Sequence, residues 1–144
     1  MKPFSMEPVL RYRKQLEDEA RQKLFTSCRK ESEIKEKVEE AKNILAELYS
    51  NLEREKGEGT TADRLLLYEN RILVNREELV ELQKKLADQQ KEVARRRRRL
   101  LHAGQEKKAL EKLKEKQNMA YKQYKERQEA AMLDEIAVLR HGRR

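Results

Sequence analysis

Ile34, Val38, Ala41, Leu45, Leu48 and Leu52 recur at alternating steps of four and three, and this rhythm limits the fold more than anything else in the chain. Spacing of that kind lays apolar side chains along one narrow stripe of a helix, the seam by which a coiled coil is held. The rhythm returns as Leu65, Tyr68, Ile72, Asn75, Leu79, Leu82, Leu86, Gln89 and Val93, and after an interruption by arginines it continues through Leu100 and Ala103. Between the two runs lies the one strong break, Lys56-Gly57-Glu58-Gly59-Thr60-Thr61. Its glycines permit left-handed backbone, and Thr60 or Thr61 can cap the helix that follows.

Two seams joined by a short turn pack antiparallel. The expected fold is therefore all-α: a two-helix antiparallel coiled-coil hairpin spanning 1–144 as a single unit. Helix one should cover about 5–55, the turn 56–61 and a longer helix two about 62–140, with lengths of roughly 75 Å and 117 Å at the usual rise per residue. Folding about the turn sets residues opposite each other when their numbers add to about 117, so Leu52 faces Leu65 and Leu45 faces Ile72. Helix one loses its apolar rhythm at Ser27 and Glu31, and helix two loses its own at Gln89, at the same height. A shared polar layer of this kind fixes register. Towards the far ends Val9, Tyr12, Leu16, Ala20, Leu24 and Cys28 step mostly by four, which suggests a straighter coil. The paired seam is expected to run from Val9 to Lys108, leaving Tyr121, Tyr124, Ile136 and Leu139 on an overhang.

Composition supports helices and excludes most chemistry. Charged residues make up 43% of the 144, aromatics 5%, and there is no tryptophan. An apolar fraction of 37% cannot build a globular core at this length, and the scarcity of Pro and Gly argues against disorder. No run approaches the ~18 uncharged residues of a membrane span, and residues 1–10 hold no signal-peptide core, so the chain is expected to be made and kept in the cytoplasm. Cys28 is the single cysteine, and His102 and His141 stand apart, so neither a disulfide nor a metal site is expected. No phosphate loop or nucleophile elbow occurs, which leaves no catalytic residues and no cofactor.

The charge is unevenly placed. Through Thr60 there are 13 basic against 13 acidic residues, and after it 22 against 14, so the whole net charge of +8 belongs to helix two. Its peak is Arg95, Arg96, Arg97, Arg98 and Arg99, which encircle the helix at about 100° each, so that at least one must face the partner helix. Glu17, Asp18 and Glu19 lie opposite by the pairing rule, giving an interhelical salt-bridge belt. The alternative is that outward arginines meet an acidic partner. A nucleic acid is not expected, because no basic region leads into a parallel zipper and the aromatics form no stacking platform.

Several features together resemble the FliJ family of the bacterial flagellar protein-export apparatus, over nearly the whole chain. Phe4 followed by Val9-Leu10, Arg13 and Glu17 is similar to the family's opening. Leu110-Glu111-Lys112-Leu113-Lys114-Glu115-Lys116 with Tyr121, and then Leu133-Asp134-Glu135-Ile136-Ala137, resemble its C-terminal signatures. The resemblance implies a non-enzymatic component that bridges the hexameric flagellar export ATPase and the export-gate protein FlhA, and that escorts the chaperones delivering substrates. It would sit peripherally at the inner membrane beneath the flagellum and serve motility. The gate contact would map to Tyr68, Arg71, Ile72, Asn75 and Leu79. The ATPase contact would map to Leu10, Arg13, Glu17, Leu110, Leu113, Tyr121, Tyr124 and Ile136. The rival readings are the stalk of an injection-type secretion system, or a scaffold or nucleic-acid-binding coiled coil with no role in export.

Overall fold

The computed structural model describes residues 4–142. It contains two helices, α1 from Glu7–Glu58 and α2 from Ala62–Gly142, packed against each other as a hairpin with the longer helix second. Phe4 and Met6 accept the first bonds of α1, from the amides of Glu7 at 3.1 Å and Leu10 at 2.9 Å. Pro8 is harmless there, since first-turn amides have no intrahelical acceptor.

The turn is shorter than its sequence suggests. Gly57 is helical, and of the glycines only Gly59 takes left-handed backbone, with φ of 87°. The Thr61 hydroxyl accepts the Arg64 amide at 3.3 Å, and the Thr61 carbonyl accepts the Leu65 amide at 3.2 Å, so Thr61 is the cap. Arg64 donates both Nε (3.3 Å) and Nη2 to the Glu55 carboxylate, which also accepts the Thr60 hydroxyl at 3.1 Å. Two glycines two residues apart should therefore respond oppositely. Gly57→Ala is expected to stabilise by about 0.5–1 kcal/mol, because nothing lies within 4 Å of the added methyl and helical backbone suits alanine. Gly59→Ala should cost about 1–2 kcal/mol, the penalty of an L residue in left-handed backbone. Thermal unfolding of the two variants measures both.

The contacts divide into two units, residues 21–99, which contain the turn, and residues 4–20 with 100–142. The turn half has the apolar core. Leu45, Leu52 and Ile72 are buried together, with Leu48, Leu65, Tyr68 and Leu79 packed against them, as the repeat foresees. Each such side chain removed from water contributes about 1.5–3 kcal/mol. Further along this half the polar layer is present: the Gln89 side-chain amide donates to the Ser27 carbonyl at 2.9 Å, and both residues are buried. The two interruptions of the seam thus meet within one residue of the expected pairing.

The half away from the turn departs from the sequence reading. Val9 and Tyr12 are exposed, at 39% and 55%, and the inward positions are Leu10, Arg13, Glu17 and Ala20. The inward positions keep the regular three-and-four spacing here. The apolar pattern follows the neighbouring face because two of the seam positions, Arg13 and Glu17, are charged. On α2 the same spacing carries half-buried positions through Leu100, Ala103, Lys107, Leu110, Lys114 and Gln117 to Tyr121, well past the expected end at Lys108. From Lys122 to Gly142 every residue is exposed.

Candidate partner-binding surfaces

Ion pairs join the helices in the half away from the turn. Arg13 pairs with Glu106, Lys107 reaches Glu17 at 3.1 Å, and Lys114 reaches Glu7 at 3.0 Å. Glu17 is 8% exposed, and its carboxylate lies 3.3 Å from where a Cβ on Gly104 would stand. Gly104, costly to a helix by about 1 kcal/mol relative to alanine, here makes room for a buried carboxylate. Each helical side chain leans towards its own N-terminus, so in an antiparallel pair long side chains meet beyond their backbone heights. That lean carries Glu17 to Lys107, past the arginine run that backbone numbering sets opposite it.

The arginines are partly committed to their own helix. Arg95 and Arg96 both close on Glu92, the latter through Nε at 2.8 Å. Burial disfavours the Glu92 charge, but the two guanidinium groups outweigh it and hold the carboxyl below its ordinary range. Arg96 is half-buried and continues the seam spacing from Val93 to Leu100, so it is the arginine that turns inward. Arg95, Arg97, Arg98 and Arg99 are exposed.

The residues mapped to the gate contact fall mostly inside the seam. Ile72 is 6% exposed, Tyr68 and Leu79 pack on its cluster, and half-buried Asn75 donates its side-chain amide to the Arg71 carbonyl at 2.8 Å. Only Arg71 among them is exposed. The apolar surface of this stretch lies beside the seam instead. Leu66, Leu73 and Val80, seven residues apart, and Leu67 with Val74 are all about half exposed. On α1, Ile44 is exposed, and Tyr49 carries the Arg76 guanidinium 5.4 Å from its ring centre. Ile44 and Val74 line a groove rimmed by Glu40, Glu77, Glu78 and Glu81. The signal was present in the sequence as tripled apolar runs, Leu65-Leu66-Leu67 and Ile72-Leu73-Val74, which exceed what one seam can bury.

The residues mapped to the ATPase contact divide in two. Leu10 is 1% exposed, and Arg13 and Glu17 are engaged with α2. Leu110 is half-buried, as is Tyr121, which has the Lys125 ammonium 5.5 Å from its ring centre. Leu113, Tyr124 and Ile136 are exposed, and so are Met132, Leu133, Val138 and Leu139, which the sequence reading named only in part. The Tyr124 phenol accepts the Gln128 amide at 2.9 Å.

The family profile described as Flagellar FliJ protein matches residues 1–144. No curated protein matches the sequence. Among solved structures the chain is similar to one described as a YscO homolog, CT670 from Chlamydia trachomatis, at 26% identity and a TM-score of 0.46, covering 98% of this chain and 96% of that one.

Proposed function

Since the chain belongs to the flagellar FliJ protein family, a component of type III export machinery, we propose that it links the export ATPase to the export gate FlhA and escorts substrate chaperones between them. The observation that carries this reading is that each of the two units has an exposed apolar surface of its own on α2. One is the outer face of 66–80 in the turn half, and the other is the stretch after Tyr121 in the other half. Soluble proteins seldom leave such patches uncovered unless a partner binds there.

In this reading the gate takes the outer face through Leu66, Leu73 and Val80 beside Arg71. Tyr68, Ile72, Asn75 and Leu79 support that face from beneath. The ATPase ring takes Leu113, Tyr124, Ile136 and their exposed neighbours, while Leu10, Arg13 and Glu17 hold the helix pair from which they project. Nothing in the described residues is long and apolar enough to cross a membrane, so association with the inner membrane would come through the gate.

The test is a variant carrying Leu66→Asp, Leu73→Asp and Val80→Asp. These outward changes should each alter stability by no more than about 0.5 kcal/mol, as for exposed positions generally. Affinity for the cytoplasmic part of the gate should fall at least about tenfold, which corresponds to 1.4 kcal/mol or more. Unchanged gate affinity in a folded variant would refute this assignment.

A further inference from the structure

The two halves of the hairpin are joined by different forces. In the turn half the buried apolar residues are Val38, Ala41, Leu45, Leu52, Ile72 and Val93; in the other half Phe4 and Leu10 are the buried apolar residues among those described. The latter half carries Arg13–Glu106, Glu17–Lys107 and Glu7–Lys114 across the helices, whereas the turn half has Glu55–Arg64 beside the turn itself. Arg13, Glu106, Glu7 and Lys114 each keep roughly a third of their side-chain surface in solvent. Charges placed in that way remain open to screening by dissolved ions, whereas apolar burial does not weaken with simple salt.

We propose that residues 4–20 and 100–121 form an ion-paired clasp that opens locally as ionic strength rises, while the seam next to the turn stays closed. Opening needs no loss of helix. It separates α1 from α2 over a stretch whose seam includes Arg13, Glu17, Lys107 and Lys114, and it uncovers Phe4, Leu10 and Leu110. Gly104 belongs to the device: the absent side chain lets Glu17 settle against α2 where Lys107 can hold it. The inference depends on these contacts alone and holds whichever proteins the chain binds.

Distances between spin labels in the full-length chain decide it. With Cys28→Ala removing the native thiol, one sample carries Gln15→Cys and Gln105→Cys, both exposed and uncharged positions of the clasp. A second carries Asn43→Cys and Leu73→Cys in the turn half. Between ~0.05 M and ~1 M sodium chloride, where the screening length shortens several-fold, the long-distance population of the clasp pair should rise at least about threefold. The turn-half distribution should not change. Replacing one ion pair by an apolar one, Glu17→Leu with Lys107→Leu, should abolish most of the response. Independently, Glu7→Lys should open the clasp already at low salt, and adding Lys114→Glu should close it again. The proposal is overturned by a clasp distance insensitive to salt, by both halves responding alike, or by a charge swap that fails to restore closure.

Discussion

A chain cut after Tyr121 should fold as the full chain does and lose binding to the export ATPase. The half-buried positions of α2 end at Tyr121, and every described residue beyond it is exposed, so the cut takes away no buried or half-buried position among the described residues. A cut before Tyr121 would instead remove a half-buried ring and confuse folding with binding. The deleted stretch carries Tyr124, Met132, Leu133, Ile136, Val138 and Leu139, each at least 46% exposed. Their stripe can contribute binding energy only by being covered, and hot-spot contacts of this size are worth about 2 kcal/mol or more each. We therefore expect ATPase affinity to fall at least about a hundredfold while gate binding persists. Calorimetric titration with the purified ATPase measures the first, and thermal unfolding controls for the fold. Retention of full affinity would refute the proposed ATPase contact on this stretch.

The second large effect belongs to the core. Ile72→Asp should unfold the turn half at ambient temperature. Ile72 is 6% exposed and packed in one cluster with Leu45 and Leu52. Replacing it removes about 2–5 kcal/mol of packing by the usual large-to-small cost, and the buried carboxylate adds a desolvation penalty. The whole stability of a typical domain is about 5–15 kcal/mol, so little would be left. Leu73→Asp, one residue away and 55% exposed, should leave the melting curve nearly unchanged. If the two variants melt alike, the assignment of seam and outer face on α2 is wrong. The contrast also separates a gate contact made by the surface from one that fails merely because its support has melted.

Much of the architecture was legible in the residue spacing. A three-and-four repeat places one stripe inward whatever surrounds it, and a single glycine-rich break allows only one way for two such stripes to meet. The coincidence of Ser27 with Gln89 followed from the same counting. Where seam positions are charged, spacing does not reveal them: Arg13 and Glu17 look like surface residues until their partners on α2 are in view, so the apolar pattern points to Val9 and Tyr12, whereas the buried residue is Leu10. Candidate contact residues fared unevenly for a related reason, since Ile72 and Leu10 satisfy a family pattern and a buried seam equally well.

The sequence by itself thus determined the helices, their antiparallel pairing, the place of the turn and the concentration of positive charge on α2, because each depends on local chemistry or on a period that one dimension records. Tertiary structure alone decided which charges pair, which apolar residues stay exposed, and how far half-burial runs along α2, to Tyr121. Those outcomes depend on the lean and reach of side chains between two helices, as when Glu17 passes its facing height to find Lys107 beside Gly104. No count along a single chain contains that distance.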